Sequence, residues 1–106
     1  MELESARNAL ELGAKATAFR EVVVFPNGRG VSIIRHQYSY GGKAGLFEVA
    51  VLDSKGEIDY STPVCGDVLG WQTVDEVLDA MKRVHDLPAE GEGLAVEGTI
   101  QGEIAE

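Results

Sequence analysis

A glycine-rich stretch, "YSYGGKAGLFEVAV" over residues 38–51, is the first candidate for chemistry in this chain. A phosphate-binding loop needs a glycine, four residues, and then Gly-Lys followed by serine or threonine. Backbone amides then hold the phosphates, and the hydroxyl holds magnesium. Here Ala44 follows Gly42 and Lys43, and Gln37 stands where the first glycine is required. The pattern therefore predicts a turn between two strands and no nucleotide or other cofactor.

The four residues from Gly42 to Gly45 also match the loop with which one class of RNA-binding module clamps a nucleic-acid backbone. In that fold the loop joins two helices, whereas the residues on both sides of this loop are typical of strands. The chain has 9 basic and 18 acidic residues, a net charge of -9. Because binding to phosphates is largely electrostatic, we expect no direct contact with nucleic acid.

Residue spacing gives little support for metal or hydrolytic chemistry. The segment "DSKGEID" begins like a calcium loop, but Lys55 and Val64 occupy positions that need oxygen ligands. His36 and His85 lack the spacing of metal ligands. Cys65 could be a nucleophile beside one of these histidines or a buried, inert thiol, and we favour the inert thiol because free cysteines are usually buried. We expect neither a metal site nor an enzyme.

Charge and hydropathy bear on the location of the protein. No apolar run approaches the roughly 18 residues of a membrane-spanning helix. The first residues lack the basic and apolar parts of a signal peptide. Acidity disfavours an anionic membrane surface, and a single cysteine fits a reducing compartment. We therefore expect a cytoplasmic protein, without membrane contact, whose partners are basic or neutral.

Side chains of the kinds that often anchor protein interfaces lie in and around the glycine-rich stretch. The candidate partner-binding residues are Arg35, His36, Tyr38, Tyr40, Lys43 and Trp71. The two tyrosines have an equally good alternative, because rings at strand ends often pack into the core while their hydroxyls reach water. The sequence leaves both roles open for them.

The elements that must position these residues begin with a helix. Apolar residues recur at helical spacing and predict a helix over residues 2–18. Residues 20–25 and 31–40 are rich in β-branched and aromatic side chains, which favours two strands. The intervening "PNGRG" is typical of a turn, so the two strands are expected to form a hairpin.

Two further strands are expected after the glycine-rich loop. In residues 45–53, "GLFEVAVLD", alternate residues from Phe47 onward share an apolar face that should be buried. A turn at "DSKGE" follows, and residues 57–63, "EIDYSTP", favour a fourth strand. Residues 64–70 are expected to be a linker. The order of strands and turns predicts an antiparallel meander.

The C-terminal part has a second helix and an acidic tail. Thr73 and Glu76 have the spacing of a capping box, in which each side chain binds a backbone amide of the other residue. The helix that begins there has an apolar stripe that should cover the sheet, and it is expected to end before Pro88. The tail is rich in glutamate and lacks lysine and arginine, which favours a solvated segment. Its alternating apolar residues leave room for an added strand, in this chain or on a partner.

Three segments, read in order, carry a resemblance to known proteins: "YSYGGKAGLFEVAVLD", "DYSTPVCGDVLGW" and "VDEVLDAMKRVHDLP". Over residues 31–88, their order, spacing and turn residues resemble a group of small proteins encoded by bacteriophages and prophages. The group has no established activity or catalytic residue to carry over. The resemblance implies a mobile genetic element, where small acidic proteins often bind and block a host protein, including CRISPR effector complexes.

These observations predict one α+β domain over residues 1–88, followed by an acidic, flexible tail over residues 89–106. The domain comprises an N-terminal helix, a four-stranded antiparallel meander and a second helix packed on the sheet. The expected function is non-catalytic binding to a host protein or complex. The resemblance implies that this binding inhibits a nucleic-acid-processing or CRISPR-type defence complex. The alternative is a small assembly protein that forms homodimers through a sheet edge or the second helix.

Overall fold

A computed structural model describes residues 3–64 and 66–89. Cys65 and residues 90–106, which include most of the predicted tail, lie outside the described residues. The elements are α1 (Leu3–Gly13), β1 (Phe19–Val24), β2 (Gly30–Arg35), β3 (Phe47–Leu52), β4 (Leu69–Gln72) and α2 (Val74–His85). Two helices and a four-stranded antiparallel sheet confirm the predicted α+β class.

The sheet is a meander whose spatial order, β1-β2-β3-β4, follows the order of the chain. All three strand pairs are antiparallel. The predicted hairpin is confirmed, because the amide of Phe25 donates to the carbonyl of Arg29 (2.7 Å) and that of Gly28 donates back to Phe25 (2.9 Å). The strands therefore meet through the turns that the sequence indicates, except at β4.

One face of the sheet packs against both helices. The alternate residues of β3 from Phe47 onward are buried, as predicted, together with inward residues of β2 such as Ile33. Helix α1 contributes Ala6 and Leu10 to this core, and α2 contributes a stripe. The residues of that stripe are Val77, Leu78, Ala80, Met81 and Val84. Both helices thus lie on the same side and leave the outer face of the sheet without a helix among the described residues.

The fourth strand does not lie at residues 57–63, so the predicted position was wrong. Residues 57–63 form only a single bridge, between Leu52 and Ile58, and β4 lies partly in the predicted linker. The physical reason is a local turn, since the carboxylate of Asp59 accepts hydrogen bonds from the backbone amide and the hydroxyl of Ser61. Such side-chain bonds compete with a strand ladder for the backbone. The chain therefore turns away from β3 and returns to it later.

Two other elements are shorter than expected. Helix α1 ends at Gly13 and not at residue 18. After Gly13 the backbone hydrogen bonds span three residues instead of four: the amide of Lys15 donates to the carbonyl of Leu12, and that of Ala16 donates to the carbonyl of Gly13. Strand β2 ends at Arg35 instead of residue 40. There the amide and the hydroxyl of Ser39 both donate to the carbonyl of His36 and close a turn.

Helix α2 begins where the capping box predicts. The hydroxyl of Thr73 accepts from the amide of Glu76 (3.2 Å), and the Glu76 carboxylate accepts from the amide of Thr73 (2.8 Å). These bonds satisfy backbone donors that have no partner within the first turn of the helix. Trp71, two residues before the cap, therefore lies at the junction of β4 and α2.

A buried arginine joins the hairpin to the end of the domain. Arg29 is 1% exposed; its Nε donates to the carbonyl of Pro88 (2.9 Å), and its Nη1 pairs with Asp59 Oδ2 (3.3 Å). Beside it, Asn27 Nδ2 donates to the carbonyls of Val84 and Leu87, each at 2.9 Å. The hairpin, the loop after β3 and the segment after α2 therefore meet at this arginine.

We expect Asp59→Asn to lower the free energy of unfolding at neutral pH by about 2 kcal/mol, because buried Arg29 loses its counter-charge. Hydrogen bonds from the Ser61 hydroxyl and amide, together with the Arg29 charge, lower the pKa of Asp59 below its ordinary 3.8. A carboxylate with a lowered pKa stabilises the fold above its unfolded pKa and loses that contribution as the pH falls through its folded pKa. The stability gap between wild type and variant should therefore close under acid.

Chemical denaturation at a series of pH values measures this gap. The exposed carboxylate of Glu57 provides the control, since Glu57→Gln should change stability little. A gap between wild type and Asp59→Asn that stays constant well below pH 3.8 would contradict the assignment.

Candidate partner-binding surface

The glycine-rich loop between β2 and β3 is held by a second buried arginine. Arg35 is 6% exposed. Its Nε donates to the carbonyl of Gly13 at the end of α1, and its Nη1 donates to the carbonyl of Gly42 in the loop, both at 2.9 Å. A cation at this end of a helix also complements the helix dipole. Arg35 therefore positions the loop from inside the fold and is not available to a partner at the surface.

The loop itself is a compact turn. Residues Gly42–Ala44 form a single turn of 3-10 helix, as expected for a connection between strands. A Cβ atom at Gly42 would lie only 1.8 Å from the carbonyl oxygen of His36, so only glycine allows this close approach. The glycines that resembled a phosphate cradle thus serve the packing of backbone on backbone.

The loop also packs against β4. The amide of Trp71 donates to the carbonyl of Tyr40 (3.1 Å), and the amide of Tyr40 donates to Glu48 Oε1 (3.1 Å). A Cβ atom placed on Gly70 would lie 2.6 Å from the Cβ atom of Tyr40, so the tyrosine lies directly against the glycine backbone. Tyr40 and Trp71, which are distant in sequence, are neighbours at this edge of the sheet.

A β-bulge presents Trp71 to solvent. Phe47 pairs with Gln72 and Val49 pairs with Leu69, so β4 advances three residues while β3 advances two. Within this bulge Trp71 has a φ of 56°, the one positive φ of a non-glycine residue in the part of the chain that the structure describes. A left-handed backbone is costly for a bulky residue, and bulges often redirect a side chain next to a functional site. The backbone is strained at the residue that carries the indole.

Three aromatic side chains of this region are exposed. Tyr38 is 81% exposed, and Tyr40 and Trp71 are each 62% exposed. The alternative left open by the sequence, that the tyrosine rings pack into the core, does not describe this structure. We call Tyr38, Tyr40 and Trp71 the aromatic surface.

The two remaining predicted residues lie in the same loop region. His36 is partly buried, its Nδ1 accepts from the amide of Tyr38 (3.1 Å), and its ring lies edge-on to the Tyr38 ring at 6.3 Å. Lys43 is exposed on the short 3-10 turn. His36 therefore orients Tyr38, while Lys43 lies three residues after Tyr40 on the exposed turn.

An acidic groove lies at β4 and α2, and the sequence prediction missed it. The groove has a volume of about 310 Å³ and separates β4 from α2. Its lining residues are Leu69, Gln72, Asp75, Glu76, Asp79, Ala80 and Arg83. The polar ones recur at helical spacing, a signal that the sequence does contain. One of them, Asp75, already pairs with Arg7 of α1 at 2.8 Å, in an exposed salt bridge.

The described residues contain no group of three or more histidine, cysteine, aspartate or glutamate side chains placed to hold a metal ion. His85 pairs with its neighbour Asp86 through Nδ1 and Oδ1 (3.0 Å) and packs edge-on against Phe25. Both histidines thus have local structural partners. Within the described part of the chain, no helix is long and apolar enough to cross a membrane.

Comparisons with known proteins add no family to this geometry. No protein-family model matches the chain, and neither the curated proteins nor the solved structures include a significant match.

The strain at Trp71 is testable by substitution. We expect Trp71→Gly to be more stable than Trp71→Ala by about 1 kcal/mol, because only glycine adopts positive φ without steric cost. At Tyr60, an exposed residue without positive φ, the order should reverse, since glycine there only adds unfolded-state entropy. Chemical denaturation of the four variants measures both differences. If Trp71→Ala is as stable as Trp71→Gly, or more stable, the backbone at Trp71 is not strained.

Proposed function

We propose that this protein is a non-catalytic binding module that attaches to a host protein complex through the aromatic surface. The observation that carries the proposal is Trp71, a large aromatic residue exposed on a strained bulge beside Tyr40. Tryptophan and tyrosine are enriched among the residues that dominate binding energy in protein interfaces. Backbone strain of this kind is seldom retained without a functional reason.

The charge of the protein indicates the kind of partner. The net charge is -9, and the acidic groove is lined by Gln72, the residue that follows Trp71, so a basic protein surface would complement this region. A groove that normally holds nucleic acid is such a surface, and a negative protein competes for it electrostatically. The resemblance to small phage and prophage proteins gives this proposal its setting: the partner would be a nucleic-acid-processing or CRISPR-type defence complex of the host cytoplasm.

A second candidate is a small assembly protein that binds copies of itself. The observation that favours it is the open edge of β1, which has no neighbouring strand on its outer side among the described residues. Such edges can pair with another chain. The molar mass of the purified chain in solution distinguishes the two, because self-assembly would make it a multiple of 11.3 kDa.

The experiment that tests the proposal begins with affinity capture of a complex from lysate of a host cell, followed by purification of that complex. We expect the protein to displace a labelled nucleic acid from the purified complex. Trp71→Ala and Tyr40→Ala should each weaken binding at least about 30-fold, the effect of losing a hot-spot residue worth about 2 kcal/mol. Isothermal titration and fluorescence anisotropy measure the affinity and the displacement.

Tyr60→Ala is the matched control. Tyr60 is 55% exposed but follows Asp59, whose amide bonds to Val51 near the far end of β3, away from the aromatic surface. The control should bind as the wild type does. Equal loss in all three variants, or tight binding of the protein to nucleic acid alone, would refute the proposal.

A further inference from the structure

The outer edge of β1 carries exposed apolar side chains and has no neighbouring strand in the part of the chain that the structure describes. Within residues 3–64 and 66–89, β1 pairs with β2 alone. Val22 is 48% exposed and Val24 is 69% exposed. Natural proteins usually protect such an edge with charges, prolines or a covering segment. β1 carries two charged residues, Arg20 and Glu21, but Val22 and Val24, nearer the hairpin, are apolar and exposed. We therefore expect a covering segment over this part of the edge.

The backbone groups available for pairing follow from the hairpin. Because the amide of Phe25 donates to Arg29, the alternation of an antiparallel ladder points the amides of Val23 and Glu21 toward β2. The same alternation points the amides of Val22 and Val24 away from it. No described strand lies on that side, so these two outward amides can receive another strand.

The chain leaves the described region next to this edge. The carbonyl of Pro88 is held by Arg29 and that of Leu87 by Asn27, both in the β1–β2 turn. A groove of about 420 Å³ lies between the end of β1 and the last turn of α2, lined by Val24, Phe25, Pro26, Met81, Lys82, His85 and Asp86. A segment that continues from residue 90 and runs back along β1 would be antiparallel to it, the arrangement that a tight connection allows.

The sequence beyond this point has the pattern of a half-buried strand. In "LAVEGTIQGEI", residues 94–104, every even-numbered residue is apolar or glycine, and the odd-numbered ones are mostly polar. This two-residue period places one kind of residue on each face. Residues 90–93 can span up to about 13 Å when extended, and a strand opposite β1, which has six residues, needs about 20 Å. The segment is therefore long enough for this edge.

Charge is consistent with the same placement. Glu97 and Glu103 are among the odd-numbered residues of the segment. If the even-numbered residues lie beside Val22 and Val24 on the outer face, the odd-numbered ones face the helices. There Lys82, His85 and Asp86 border the groove. Because His85 and Asp86 pair with each other, an acidic residue of the segment would meet the ammonium group of Lys82.

We infer that residues 94–104 of this chain bind the outer edge of β1 as a fifth, antiparallel strand. This site lies at the opposite edge of the sheet from β4 and Trp71, and the inference is independent of the proposed partner. The strand removes the exposed edge and covers Val22 and Val24.

Residue-resolved amide hydrogen exchange tests this inference on the full-length chain and on a chain that ends at Ala89. We expect the amides of Val22 and Val24 to exchange at least about tenfold faster after truncation, as a protected ladder becomes an open edge. The amides of Glu21 and Val23 should not change, since they bond to β2 in both chains. Equal exchange of Val22 and Val24 in the two chains would overturn the inference.

A matched pair of double substitutions separates strand pairing from a general effect of the tail. V96D with I100D places two charges on the apolar face and should reproduce the truncation. T99D with Q101D adds the same charge to the polar face and should retain protection of Val22 and Val24. If both double variants change the amide exchange of Val22 and Val24 equally, the even-numbered residues do not share a face with Val22 and Val24. Molar mass by light scattering must show a monomer, because tail-dependent protection in a dimer would assign the edge to a second copy.

Discussion

The fold depends on one buried positive charge. Arg29 lies in the turn between β1 and β2, yet its guanidinium binds a carboxylate that follows β3 and a carbonyl that follows α2. Transfer of a charge into the interior is expensive unless hydrogen bonds and an opposite charge replace the lost water. Only the folded arrangement of these three distant segments supplies those partners. The arginine is therefore neutralised in the complete fold and not in a partly assembled one, which favours a single arrangement of the chain.

Arg35, the second buried arginine, holds the loop after β2 in a similar way. Arg29 and Arg35 stand at the two ends of β2, so this strand is held by buried cations at both ends. Arg35 binds no carboxylate among the described residues; its bonds go to carbonyls of α1 and of the loop. The fork of the guanidinium reaches two backbone groups at once, which a lysine could not do with the same geometry. The position of Tyr40 thus depends on a side chain that never reaches the surface near it.

Local signals in the sequence predicted the elements that local chemistry decides. The capping box at Thr73 and the turn after Phe25 act over a few residues, and both are present in the structure. Strand β4 was misplaced because its four residues have no alternating pattern and include Gly70. It pairs with β3, and the amide of Trp71 donates to Tyr40, 31 positions earlier. Sequence reasoning has no access to such a contact.

Some features of the candidate site were likewise visible in the sequence, and others arise only in the fold. The aromatic residue types were visible in the sequence, but their exposure and the left-handed backbone of Trp71 are products of the bulge. Arg35 resembled an interface residue because an arginine in a strand is usually exposed. Its burial requires carbonyls from two other segments, and the sequence does not reveal that they converge.

The exposure of Trp71 has a spectroscopic consequence. It is the single tryptophan of the chain, so the intrinsic fluorescence of the protein comes mainly from one indole at its surface. In most proteins tryptophan emission reports on the core and shifts to the red on unfolding. Here the folded protein already emits from a ring in contact with water, and a shift to the blue would signal that another molecule has covered it. The emission maximum of this indole therefore reports contact at the surface more than burial in a core.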